Sequence, residues 1–350
     1  MSYNIPQTMK TAVLADKGKI EIVNNPVPQP GVGEVLVKIK AVGICGSDVH
    51  YFADGRIGDA VCDFPFVLGH EPSGQVVALG TEINHLKVGD RVALEPADSC
   101  GKCYLCQTGR PNCCALVKFL GSPPIPGVYE EYHVFKEHLC VPIPDSVSYE
   151  IAALLEPLAV GIHAVDMSNM KMGSRIFIAG CGPIGLLTAV SARAAGASFI
   201  AMTDPIPERR ALALQMGADM VIDSADKNAK EKIIEAAGMI DIAFEAVGVQ
   251  DSIDDATLIV RSGGTVVIIG IPTVDRISLY PHPLRRKELN IIMSRRSNFN
   301  LEPAIRLLAA GTFDLSAIIT HKYMIDDLGE AMVKVHNYQD GVNKAMIIFD

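Results

Sequence analysis

Four cysteines, Cys100, Cys103, Cys106 and Cys114, stand close together as C-x2-C-x2-C-x7-C. This spacing constrains the chain more than any other feature. Thiolates so near in sequence wrap a tetrahedral zinc ion, and a shell of four sulfurs leaves no position for a substrate. Gly101, Gly109 and Pro111 supply the turns between them. Four free surface thiols would instead be open to oxidation. Cys113 is adjacent to Cys114 and competes with it as fourth ligand on spacing alone. The cluster predicts a zinc-folded lobe over about 96–116.

The nine cysteines are an odd number. Residues Met1 to Lys10 lack the apolar core of a secretory leader. Reduced thiols in a cytoplasmic protein are therefore expected. The net charge is -9, with acids and bases interspersed. A nucleic-acid surface needs a basic stripe, which the sequence lacks. There is no uncharged apolar run long enough to span a membrane.

At 350 residues the chain should hold about two domains. The first 155 or so read as β-rich, with short β-branched runs such as Val35 to Ile39 and Arg91 to Leu94 bounded by Gly, Pro or Asp. Helices are expected to be scarce there, and Cys45 is read in a glycine-rich turn. From Arg175 onward the pattern changes to strand and helix in alternation. That alternation predicts βαβ units and a parallel sheet. After about Asn300 a helix and a terminal strand are expected to return to the first domain. The fold class is α/β: a doubly wound parallel sheet beside a β-rich domain.

The run Arg175 to Ala179 feeds Gly180-Cys181-Gly182-Pro183-Ile184-Gly185, and a Leu- and Ala-rich helix follows. This is the Rossmann fingerprint. Its glycines allow a tight turn and close approach to a pyrophosphate, and the helix N-terminus attracts the phosphates. Asp204 ends the next strand, 19 residues after Gly185. A carboxylate there hydrogen-bonds the adenosine ribose and repels a 2'-phosphate, which favours NAD. Arg209 and Arg210 leave NADP open, because arginines at this place accept a 2'-phosphate.

A second metal site is assembled from distant segments. Cys45 precedes Gly46-Ser47-Asp48, His70 and Glu71 follow Gly69, and Glu156 lies in Leu155-Glu156-Pro157. A thiolate, an imidazole and a carboxylate suffice for catalytic zinc with one open position. Spacing alone does not settle this, since a lone cysteine is more often a small core residue.

Those residues carry a resemblance. The stretches Val42 to Tyr51, Gly55 to Asp59, Val67 to Glu71, Ala93 to Pro96 and Glu156 to His163 resemble the polyol branch of the medium-chain zinc-dependent dehydrogenases. The resemblance extends over nearly the whole chain. It implies a GroES-like catalytic domain at 1–157, a Rossmann domain at 158–292 and a returning segment at 293–350. It implies two zinc ions per chain. Cys45, His70 and Glu71 would bind the catalytic ion, and Cys100, Cys103, Cys106 and Cys114 the structural one. Glu156 would contact zinc-bound water or substrate and exchange with Glu71 as ligand. Asp48 would hold the imidazole, Ser47 would take the alcohol proton, and His50 would relay it. Tyr51 and Phe119 would wall the substrate pocket, with Arg295 near the substrate hydroxyls. Gly180, Gly182, Ile184, Gly185, Asp204, Arg209 and Ile271 would bind NAD. The implied reaction is reversible oxidation of a polyol to a ketose by a homo-oligomer, dimer or tetramer. L-threonine, 2,3-butanediol, galactitol or a cyclitol are alternative substrates. A non-catalytic NAD-binding protein of the same fold is the alternative from another class, and it would lack zinc.

Overall fold

The strand Glu34–Gly43 is apolar along most of its length, and Val35, Leu36, Val37, Ile39, Ala41 and Val42 are wholly buried. A strand that packs on both faces reads this way rather than as a simple alternation. It lies inside a seven-stranded sheet, in the order Cys140–Pro142, Arg91–Leu94, Glu71–Leu79, Glu34–Gly43, Lys344–Ile348, Ile319–Met324, with Tyr132–Lys136 also paired to Glu34–Gly43. This computed structural model describes residues 4–272, 274–298, 300–311 and 313–350. The chain divides into two units: Met1–Glu156 with Leu301–Asp350, and Pro157–Asn300.

In the first unit, two registers matter for chemistry. Gly43 pairs with Glu71 on one side and with Met346 on the other. The end of the central strand is thereby flanked by a chain segment from each side. The loops that leave it carry Cys45 and His70. Leu14, Val37, Ile39, Leu68, Leu94, Val128 and Ile347 pack into the core beneath.

One element departs from expectation. Cys45 does not sit in a loose turn; it caps a helix, Gly46–Asp54. The helix is short and begins on glycine, so its signal is weak. Three features sustain it. The Cys45 amide donates to Asp48 Oδ2 at 3.0 Å. Val49, Tyr51 and Phe52 are buried. Gly55 takes a left-handed conformation (φ 72°) and closes the last turn on Tyr51 O. The tail also carries more than was read from it: a strand Ile319–Met324 and a helix Leu328–His336 precede the last strand.

The second unit holds a six-stranded sheet, all parallel. Its order is Met220–Ile222, Phe199–Thr203, Arg175–Ala179, Ile240–Glu245, Val260–Ile268, Asn290–Met293. In sequence terms this is 3-2-1-4-5-6, the doubly wound order. Its switch point falls between Arg175–Ala179 and Ile240–Glu245. Among the described residues no helix is long and apolar enough to cross a membrane.

Candidate active site

The four sulfurs of Cys100, Cys103, Cys106 and Cys114 lie within 4.8 Å of one another. The contacts Cys103–Cys106, Cys103–Cys114 and Cys100–Cys106 are 3.5, 3.8 and 3.9 Å. A tetrahedron with zinc–sulfur bonds of about 2.3 Å has edges of about 3.8 Å, so this shell fits the ion. Cys113 lies outside the set, on the short turn Pro111–Cys113. The amides of Lys102 and Cys103 push the Cys100 thiol down to about 6, which favours the thiolate. The Leu116 amide also reaches Cys114 Sγ, at 3.4 Å.

Cys45, His70 and Glu71 form the second set, again within 4.8 Å. His70 and Glu71 are buried. The Asp48 carboxylate lies against the His70 ring, with its Oδ1 3.3 Å from Nδ1. Nε2 is thereby left for the site, and Ser47 Oγ is 3.5 Å from it. Burial alone would raise the Asp48 pKa, but the His70 charge and the Cys45 and Gly69 amides overrule it and hold the carboxyl below its ordinary value. Burial opposes the His70 charge, yet Asp48 and Cys45 raise its pKa well above the usual range. One thiolate, one imidazole and one carboxylate suit a zinc ion with an open position.

The other expected residues of the first unit are placed as follows. The Phe119 ring is 5.4 Å from the His70 ring, tilted by 50°. Tyr51 is buried and its hydroxyl is 3.3 Å from Ser122 Oγ. His50 lies 4.0 Å from Asp54 with its side chain 37% exposed. Glu156 is buried and stands outside the set of mutually close ligand atoms. Burial pushes its pKa up to about 8; Glu71 and Glu95 add to this, while His70 and Lys344 oppose it.

Two residues at this site escaped the sequence reading. Lys344 is almost wholly buried and pairs with Glu71. Burial would lower its pKa, but the charges of Glu71, Cys45 and Glu156 raise it. Gly43 makes room for the pair, since a Cβ there would lie 1.9 Å from Glu71 Oε2 and 2.9 Å from Lys344 Cε. The second residue is Tyr129, wholly buried, whose hydroxyl is 3.1 Å from Asp48 Oδ2. The one sequence cue for Lys344 is a lysine opening the apolar run Ala345 to Phe349. For Tyr129 there is none.

In the second unit, Gly180 has φ 101°, and Gly185 packs so closely that a Cβ would lie 2.0 Å from Gly180 O. Gly182 caps the helix Pro183–Ala194, which includes Ile184. Asp204 Oδ2 accepts from the Cys181 amide and Oδ1 from the Ile206 amide, both at 2.9 Å. Strand end and phosphate loop are thus tied together. The two arginines part company. Arg210 donates to Asp204 O and Pro205 O and pairs with Asp223. Arg209 Nη1 instead lies 3.7 Å from where a Gly182 Cβ would stand. Ile271 is exposed, with its carbonyl against Gly248. Arg295 is exposed, just beyond the strand Asn290–Met293, whose pairing Ser294 continues by donating to Ile268 O at 2.8 Å.

Family models match at both ends of this architecture. Residues 31–145 match the alcohol dehydrogenase GroES-like domain, and residues 183–310 match the zinc-binding dehydrogenase model. The sorbitol dehydrogenase of Bacillus subtilis is 39% identical over 349 residues, 99% of each chain. Two solved structures are also similar. The L-idonate 5-dehydrogenase of Escherichia coli has a TM-score of 0.91 at 29% identity, covering 98% of each chain. The 2R,3R-butanediol dehydrogenase of B. subtilis has a TM-score of 0.89 at 32% identity, covering 98% of this chain and all of the other. The chain belongs to the medium-chain zinc-dependent dehydrogenases, oxidoreductases that act on alcohols. Within them it falls in the sorbitol dehydrogenase branch.

Proposed function

We propose that the protein oxidises a secondary alcohol of a polyol to the ketose, with NAD as hydride acceptor, and catalyses the reverse. One observation carries this reading. Cys45, His70 and Glu71 converge within 4.8 Å beside Ser47, in a chain 39% identical to a sorbitol dehydrogenase. Cys45, His70 and Glu71 would hold the catalytic zinc, and the four clustered cysteines the structural one. When bound, zinc supplies the Lewis acidity that lowers the pKa of an alcohol, and the nicotinamide takes up the hydride. Ser47 receives the alcohol proton. His50 lies three residues on along the same helix, on the same face, and passes it to solvent. Phe119 shields the imidazole from water, and Glu156 contacts the substrate side of the site. Arg295 would bind the further hydroxyls of a polyol.

Asp204 supports NAD over NADP. Its carboxylate braces the phosphate loop and disfavours a 2'-phosphate. Arg210, one of the two arginines that left NADP open, is occupied by Asp204 O, Pro205 O and Asp223. The catalytic role belongs to the unit that ends in Leu301–Asp350, and cofactor binding to Pro157–Asn300. We further propose a homo-oligomer, dimer or tetramer, in the cytoplasm, where nine free cysteines remain reduced.

Similarity to a butanediol dehydrogenase favours a second reading, a smaller secondary alcohol. NAD reduction across sorbitol, xylitol, galactitol, L-threonine and 2,3-butanediol separates the two. The polyol reading expects the highest kcat/KM on sorbitol or xylitol. Preference for butanediol or threonine would replace it.

A further inference from the structure

Asp48 is the point where the two ligand-bearing segments meet. Its Oδ2 accepts from the Cys45 amide at 3.0 Å. Its Oδ1 accepts from the Gly69 amide at 3.1 Å and stands 3.3 Å from His70 Nδ1. The carboxylate is wholly buried, so each of these donors replaces water that it lost. A third hydrogen-bond donor comes from a distant part of the chain. The Tyr129 hydroxyl is 3.1 Å from Asp48 Oδ2 and 3.2 Å from Gly43 O. Tyr129 has no exposed surface.

Its ring is placed as tightly as its hydroxyl. A Cβ on Gly69 would lie 3.0 Å from the ring, so the residue before His70 rests directly against it. The Tyr129 amide donates to Leu68 O, and Val128 donates to Gly69 O. Gly43, the hydroxyl's other neighbour, is the strand partner of Glu71. Tyr129 therefore touches Asp48, the segment leading to His70 and the residue opposite Glu71.

We propose that Tyr129 is a positioning residue of the metal centre: its hydroxyl holds the Asp48 carboxylate in the orientation that receives His70 Nδ1–H, and so directs Nε2 at the zinc. This rests on the reading that Cys45, His70 and Glu71 bind the catalytic ion. The outer partner of a ligating imidazole fixes its tautomer and raises its basicity, and loss of such a partner costs roughly 10- to 100-fold in metal affinity. Tyr129 acts one step further out. Without its hydroxyl, Asp48 keeps the backbone amides but loses a side-chain donor on the oxygen opposite His70. Asp48 then has freedom to rotate away from Nδ1.

The test is Tyr129→Phe, which keeps the ring and its packing on Gly69. Zinc release from the holoenzyme to a chromogenic chelator is followed in the wild type, in Tyr129→Phe and in Cys45→Ser, the last identifying the structural-site phase. The proposal expects the catalytic phase to quicken by about tenfold in Tyr129→Phe, near the lower bound for such partners, with the structural phase unchanged. In the zinc-loaded protein, the His70 Nδ1–H proton resonance should move upfield and exchange faster with solvent in Tyr129→Phe, as its contact with Asp48 loosens. Wild-type release rates together with an unchanged His70 Nδ1–H resonance would overturn it, leaving Tyr129 as packing. Acceleration of both phases with a lower Tm of the zinc-free protein would overturn it too, as a general loss of fold. If the wild type releases a single zinc, the underlying metal reading fails instead, and that outcome is distinct from both.

Discussion

Ser47 and Glu156 show how single side chains divide the work at this site. Ser47 Oγ stands 3.5 Å from His70 Nε2, within reach of the position proposed for the alcohol. Replacing it with alanine should lower kcat by roughly 10²-fold, the scale of general acid–base assistance, while both zinc ions stay bound. Stopped-flow hydride transfer and metal analysis on the same sample check this. Glu156 makes a thermodynamic prediction. Its pKa stands at about 8, against 4.5 for an ordinary glutamate. Between those values the folded zinc-free protein keeps a proton that the unfolded chain releases. Stability must then fall as pH rises through the window and level off once the folded value is passed. Glu156→Gln has no proton to lose there. Melting of the chelator-treated proteins from about pH 5 to pH 8 should show the wild type losing Tm relative to the variant. Parallel curves would show that Glu156 is ionised in the folded state.

At the scale of elements, the phosphate loop and the strand Phe199–Thr203 behave as one piece. Asp204 joins them through the Cys181 amide, and the same carboxylate is the one proposed to meet the ribose. Asp204→Ala should weaken NAD binding by about tenfold or more, since charge-assisted hydrogen bonds contribute roughly 1.5–3 kcal/mol. It should also narrow the gap to NADP, as both Kd values measured by fluorescence titration will show. A wild type that binds NADP more tightly would assign the choice to Arg209. This element was readable beforehand because each of its parts is local: a short apolar run, glycines at fixed offsets, an acid at the strand end. The four-cysteine lobe was readable for the same reason. The helix Gly46–Asp54 was not. Its length is nine residues, it opens on glycine, and its stability comes from Asp48 and from burial of Val49, Tyr51 and Phe52. Tertiary packing rather than propensity makes that helix.

Across the whole chain, the residues that bring distant segments together were the hardest to foresee. Lys344 reaches Glu71 only because the strand Lys344–Ile348 pairs with Glu34–Gly43, some 300 residues earlier in sequence. Tyr129 reaches Asp48 across 81 residues. Nothing periodic or motif-like marks either position; each acquires meaning from sheet order. The ligand set Cys45, His70 and Glu71 was equally weak by spacing, and became legible through the family resemblance of the segments around it. One chain thus brings together two candidate metal sites of different kinds. The closed shell contributes folding energy, and the open one contributes chemistry.

Zinc per chain, measured by mass spectrometry in the wild type, Cys103→Ser and Cys45→Ser, tests this most directly. The wild type should hold two ions. Cys103→Ser should hold one and melt at a lower temperature. Cys45→Ser should also hold one, fold with little change in Tm and lose polyol oxidation. A wild type with a single zinc that Cys103→Ser leaves in place, or a Cys45→Ser protein that still oxidises polyols, would contradict the account.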